Sequence, residues 1–277
     1  MSVRFLIVCA FILSTSLAGR AQLLDKEDES KLYAETKQVN QFFRRFNGEE
    51  DEKGERYYAR DRQYRNVRLR RKYISILFDA GNYNISSDLK EAFAKDVLDK
   101  SEPVILDFHG GGWFSEVHTT FALNGKPEPV TLFMELEQDH LGYKWVISRV
   151  HADMFDPYFR RDTTKVGKFL HPLSHELDFM NLRKAFNYTD SLSQFTVKRF
   201  APDHLSVFLY EIKKGNLKFR TVDEVKFHFF QIPGWYFELS EFNRPGYNTG
   251  WLISNLVRIN NDSEKKLLQK FLYYEGR

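Results

Sequence analysis

Phe133-Met134-Glu135-Leu136, followed by Trp145-Val146-Ile147-Ser148, returns later in the chain as Tyr236-Phe237-Glu238-Leu239 followed by Trp251-Leu252-Ile253-Ser254. The same two-strand phrase in the same order reads as two copies of one module. Upstream of the first phrase, Trp113, Ser115, Val117, Thr119, Phe121 and Leu123 alternate with Phe114, Glu116, His118 and Thr120. That period of two predicts a strand with one buried and one wetter face. Asn124-Gly125 then marks a hairpin, because both positions of such a turn favour positive φ. Val130, Leu132, Met134 and Leu136 return, and Lys144 to Val150 complete a three-stranded meander.

Ahead of this meander the period is helical. Val39, Phe42, Phe43 and Phe46 form an apolar stripe ending at Asn47-Gly48, a left-handed stop. Tyr57 to Phe78 is predicted as a second, long and basic helix, and Ser87 or Asp88 as the cap of a third running through Val97 and Leu98.

The charged stretch Asp156 to Lys168 is read as a linker, after which the pattern restarts. Leu177, Phe179, Leu182 and Phe186 form a helical stripe, and Leu205 to Ile212 a second helix stopped at Gly215-Asn216. Val225, Phe227 and Phe229 open a second meander; Pro233-Gly234 turns it, Trp235 to Phe242 returns, and Trp251 to Ile259 closes it. A last helix, capped by Asp262, carries Leu267, Leu268 and Phe271. The expected organisation is α+β: a first domain over 28–158 and a shorter second domain over 170–277 with a C-terminal helix.

Helices followed by three bent antiparallel strands, twice over, with strand motifs such as Tyr143-Lys144-Trp145-Val146-Ile147, resemble the cone-shaped nuclear transport factor 2-like fold in tandem. Ser174-His175-Glu176-Leu177 together with Pro233-Gly234-Trp235 and Gly250-Trp251-Leu252-Ile253 is also similar to exported bacterial proteins of unassigned function. The resemblance implies a cone whose opening serves isomerases, dehydratases, ligand binders or protein-binding modules, so it does not fix an activity.

The N-terminus sets an expected address. Arg4, the apolar run Phe5 to Leu13 and the small and polar residues Ser14 to Ala21 have the three-part layout of a secretory signal over 1–21, with cleavage open after Ala18 or Ala21 and the second favoured. The run is too short to span a bilayer, and no later stretch approaches the length needed. Cys9 is the only cysteine, so the expected mature chain has no thiol: disulfides, cysteine nucleophiles and cysteine-held metals are excluded. Cleavage removes Arg4 and Arg20 and no acid, lowering the formal charge of +3 by two, and selection of partners by global charge is not expected.

Candidate chemistry is sparse. Asp107 and His109 precede Gly110-Gly111-Gly112, read as a strand-entry turn rather than an active-site rim. His171 and His175 stand four apart, but Pro172 lies between them and no third ligand is near, so no metal site is expected. His118 and His228 take comparable outward positions on the first strand of each meander. The basic run over 53–72, from Lys53 and Arg56 to Arg71 and Lys72, is read as a solvated face that pairs with the acids at 25–29 and 49–55. Its minority reading is a surface for an anionic glycan, lipid headgroup or acidic partner. In the aromatic second meander Phe230 and Tyr236 are predicted to face outward. With Trp235 and His228 they form the candidate ligand-binding surface, a platform for sugar or peptide whose competing role is to cover a domain interface.

No catalytic residue, metal or cofactor is implied. The expected protein is exported to a periplasmic or extracellular address. There it binds a small molecule, glycan or protein without catalysis, without nucleic acid and without a membrane span. The rivals are an isomerase- or dehydratase-type enzyme working in a cone pocket and a structural subunit of an envelope assembly.

Overall fold

The computed structural model describes residues 39–51, 53–140, 142–159, 186, 196–197, 199, 202–244 and 248–275. The expected leader 1–21, the linker beyond Phe159, and the stripe with His171 and His175 lie outside the described residues, Phe186 apart. Among the described residues the protein is α+β, with six helices and six strands.

Helix α1 covers residues 39–47 and stops at Gly48, whose φ of +69 is the left-handed stop the sequence predicts. Helix α2, Val67–Ile76, is shorter than the predicted 57–78: the Asn66 side chain accepts from the backbone N–H groups of Arg68 and Leu69 and starts it late. Residues 57–66 have too weak an apolar period to supply a helix with a face to bury, and they form turns instead, with Arg65 at φ 55. Helix α3, Ser87–Val97, is capped by Ser86, one residue ahead of the predicted Ser87.

Strands β1 (Trp113–Leu123) and β2 (Lys126–Asp139) are joined at Asn124-Gly125, both with positive φ as predicted. Strand β3, Gly142–His151, leads through a 3-10 turn at Asp153–Phe155 into the short helix α4, Asp156–Phe159. Helix α5 (His204–Lys214) is closed by Gly215 at φ 78. Strand β4, Leu217–Phe229, begins well before the predicted Val225 because its first half pairs along the whole of β1. Strands β5 (Trp235–Phe242) and β6 (Gly250–Arg258) follow, then helix α6, Asp262–Leu272. Its cap is Asn261 rather than Asp262, since the Asn261 side-chain Oδ1 accepts from the Glu264 N–H at 3.0 Å.

The described residues form two compact units, one from Met1–Gly111 with Phe230–Arg258 and one from Gly112–Phe229 with Ile259–Arg277. Each draws on both of the stretches 28–158 and 170–277.

In the first unit β5 and β6 pair antiparallel, and Phe78 adds a parallel bridge to Ile253. Rings fill the space between this hairpin and the helices: Phe46 stacks on Phe237 at 6.3 Å, and Phe93 meets Trp235 edge-on at 5.3 Å. Arg70, 1% exposed, holds the helices together from inside. Its guanidinium donates to Phe46 O at 3.3 Å, in the last turn of α1, to Val97 O at 3.5 Å, the end of α3, and to Val104 O. Helix C-termini carry orphan carbonyls and partial negative charge, so one buried cation serves two of them. Burial, then Arg65, lowers its pKa to about 10, which leaves it charged at neutral pH.

The second unit is a four-stranded antiparallel sheet, β3-β2-β1-β4, with a helix on one face. There Phe121, Val130, Leu132, Val150 and Leu217 pack with Phe155 and with Phe208 of α5. The other face is not the wetter one that alternation in β1 predicts: Phe114 and Glu116 are as buried as Trp113 and Ser115. The turn after α6 covers it.

Candidate functional site

The covered face of the second unit concentrates its polar chemistry. Pleating puts Phe114, Glu116 and His118 of β1 on one side, with Thr131 and Phe133 of β2 opposite them, Arg149 and His151 of β3 beyond, and His228 of β4 on the other flank. Helix α6 ends over this surface. The N–H of Tyr274 donates to Phe271 O at 3.2 Å and that of Glu275 to Lys270 O at 2.9 Å. These two bonds form a Schellman cap, whose left-handed residue is usually glycine. Here it is Tyr274, at φ 58.

The displaced preference is explained by what the side chain does. Tyr274 Oη–H donates to Glu116 Oε1 at 2.9 Å. The same carboxylate accepts from His228 Nε2 at 2.7 Å and from His118 Nε2 at 3.2 Å. Burial on its own would raise the Glu116 pKa, but the bonds from His118, His228 and Tyr274 outweigh it and hold this carboxyl far below the ordinary carboxylate range. His118 is shifted upward, chiefly by its hydrogen bond to Glu116. Its other nitrogen lies 3.3 Å from the Thr131 hydroxyl.

Two columns of stacked groups run from the tyrosine pair. Tyr274 stacks on His151 at 4.4 Å, His151 on His204 at 5.5 Å, and His204 on Phe159 at 4.8 Å. Beside it the Arg149 guanidinium sits 4.3 Å over Tyr273, which stacks on Phe114 at 4.8 Å, and Phe114 on His228 at 4.8 Å. Arg149 also pairs with Glu275. Burial and then Glu135 push the Tyr273 hydroxyl up to about 12. Burial, and next the neighbouring His151, lowers the pKa of His204, whose Nδ1 accepts from the Ala152 N–H at 3.1 Å.

A cleft of about 530 Å³ opens along these columns, lined by Ser148, Arg149, His151, Asp203, His204, Tyr273 and Glu275. A smaller one, about 370 Å³, lies in the first unit against Gln41, Arg45, Glu241, Thr249 and Trp251. Arg45 there is turned to the buried Glu50 at 3.2 Å, whereas the larger cleft gathers imidazoles, a guanidinium and a phenol. Among the described residues no group of three or more His, Cys, Asp or Glu is placed to hold a metal. Nor is any helix there long and apolar enough to cross a membrane.

No family model, no curated protein and no solved structure matches this chain. Its own geometry therefore carries the functional reading.

The residues singled out from sequence fall elsewhere than expected. Phe230, Trp235 and Tyr236 are 8%, 1% and 1% exposed, so the outward aromatic platform does not form. Tyr236 packs its ring 5.0 Å from Phe230, and Trp235 Nε1 donates to Asp96 at 3.0 Å. Large rings on both sides of β5 are buried because each side is covered, and alternation alone does not report a second cover. His228 is not outward either: it is fully buried on Glu116. The triple-glycine turn is a strand lead-in as read, held by Gln231, whose amide donates to Asp107 O at 2.7 Å and Gly111 O at 3.0 Å. The sequence pattern does not mark Tyr273, Tyr274, Arg149, His151 or His204, which the fold brings together. Gly276 follows directly in the sequence, so nothing there signals that Tyr274 rather than a glycine takes the left-handed position.

Proposed function

We infer that the protein is an exported, non-catalytic binding protein of the cell envelope, built as a tandem of nuclear transport factor 2-like modules, and that it holds a small polar ligand in the cleft of the second unit. One observation carries the reading. Glu116, the carboxylate most strongly perturbed by its surroundings, is buried and already accepts from His118, His228 and Tyr274. A general base needs a free lone pair within reach of its substrate. Glu116 instead fixes the wall of a cleft, and a preformed wall of ring edges and paired ions is what a binding site uses to orient a polar guest without chemistry. The tandem part rests on the repeated strand phrase, Phe133–Leu136 with Trp145–Ser148 and Tyr236–Leu239 with Trp251–Ser254. Export is supported by the apolar run Phe5 to Leu13 and by the lack of any cysteine after Cys9.

The test is a saturation-transfer NMR screen of neutral sugars, amino acids and short peptides against wild type and His151→Ala. A saturable ligand weakened on the order of tenfold by His151→Ala is expected. If instead a substrate is turned over, and Glu116→Gln abolishes turnover at unchanged melting temperature, an acid–base enzyme replaces this reading.

A further inference from the structure

Three triplets of the form Asn-Xaa-Ser/Thr stand in the sequence: Asn84-Ile85-Ser86, Asn187-Tyr188-Thr189 and Asn261-Asp262-Ser263. The pattern is the acceptor for N-linked glycan transfer, and it has meaning only in a chain that is exported. The fold sorts these three. Asn187 lies outside the described residues. Asn261 is spent as the cap of α6: its Oδ1 accepts from the Glu264 N–H and its Nδ2 donates to Glu264 Oε1, both at 3.0 Å. The amide nitrogen that would carry a sugar there already helps to hold the helix entrance.

Asn84 is placed differently. It is exposed, in the turn between α2 and α3. Asn82 pins that turn at its base: its Nδ2 donates to Ser254 O of β6, and its Oδ1 accepts from the Asn84 N–H at 2.9 Å. Ile85, 5% exposed, anchors the other side, while Tyr83 between them is 93% exposed. The tip of the turn thus projects from a fixed base. Among the described residues the Asn84 carboxamide makes no hydrogen bond, so a substituent on its nitrogen breaks nothing in the fold. Ser86 serves twice: its hydroxyl completes the acceptor triplet, and in the folded chain its Oγ accepts from the Leu89 N–H at 3.2 Å as the cap of α3.

We propose that Asn84 carries an N-linked glycan. The inference rests on the export reading above and narrows it, because the compartment must hold a lipid diphosphate-linked oligosaccharide and its transferase. There Asn84 Nδ2 attacks the anomeric carbon of the first sugar. A nitrogen–carbon bond forms, the bond from that carbon to the phosphate oxygen breaks, the lipid diphosphate leaves with the electron pair, and one amide proton passes to a base. Transfer meets the chain before α3 exists to claim the Ser86 hydroxyl. Once folded, the projecting turn leaves the glycan in water and the packing of the first unit untouched.

The full chain, produced in an insect-cell culture with medium and cells analysed separately, tests this. The secreted protein is expected to lose mass on treatment with a peptide N-glycosidase, and position 84 is then expected to read as aspartate in its peptide. Asn84→Gln should abolish that conversion at an unchanged melting temperature, since the side chain holds nothing in place. Two changes at Ser86 separate the acceptor from the cap: Ser86→Asp keeps a good cap and is expected to lose the glycan, whereas Ser86→Thr is expected to keep both. Secreted protein with an unmodified Asn84, or a Ser86→Asp variant glycosylated at position 84 like wild type, would each overturn the proposal. Retention in the cells with residues 1–21 still attached would sink the export reading itself, and the glycan with it.

Discussion

Tyr274 shows how one side chain overrides a backbone preference. A non-glycine residue in the left-handed region costs about 1 kcal/mol or more, and here that is offset by a hydrogen bond to a buried carboxylate and by stacking on His151. Tyr274→Phe keeps the ring and deletes the bond; we expect a loss of about 1.5–3 kcal/mol in urea unfolding, and a loss below about 0.5 would show that the hydroxyl is idle. The same network predicts a pH optimum. Glu116 has a folded pKa below its ordinary 4.5, so its contribution is present above that value and fades as pH falls toward the folded pKa. His118 is raised above 6.5, so its contribution is complete below that value and fades as pH rises through the folded pKa. Stability of the second unit should therefore peak between these two ordinary values, and Glu116→Gln should flatten both limbs of the melting-temperature profile. A wild-type profile flat from acid to neutral pH would contradict the network. None of this was legible at residue level from the strand pattern: Glu116 and His118 read as solvent-facing because alternation marks faces without saying what lies over them.

Among elements, α2 is where sequence and structure part most. The apolar end of the predicted helix, at Ile74 and Leu77, was legible because both are core residues. Its start was not, since Asn66 as a cap competes with a run of good helix formers, and the cap wins when no apolar stripe precedes it. Arg70 was misread with its neighbours as part of a solvated face, although every third or fourth residue of such a helix must turn inward. Its role is specific to a guanidinium that reaches Phe46 O, Val97 O and Val104 O at once. Arg70→Met leaves helix-end carbonyls buried without donors, and a loss of about 3 kcal/mol is expected. Arg70→Lys, with one compact ammonium, should recover less than half of it; full recovery would mean that charge alone matters. Circular dichroism melts of the two variants settle the point.

For the whole molecule, periodicity told how many strands there are and in what order, because each strand's alternation is local. It did not tell which strands are neighbours across the copies, and β1 beside β4 had no sequence signature. Nor did it reveal that the last described residues are a structural keystone. Deleting Tyr273 to Arg277 removes both stacked columns' outer members, the Glu116 bond and the Arg149–Glu275 pair together. We expect the melting temperature to fall by roughly 10 °C or more, with new binding of an apolar dye to the uncovered sheet face. A melt within about 2 °C of the intact chain would mean the face is covered by other means. The β1–β4 pairing has a consequence during synthesis. Strand β1 leaves the ribosome about a hundred residues ahead of its neighbour, and at translation rates of about 5–20 residues per second that edge waits unpaired for several seconds. A waiting edge can zip to a sister chain. The only ionisable residues of β1 are Glu116 and His118, so the pair that anchors the C-terminal turn in the folded protein is also the only charge this strand can set against such pairing.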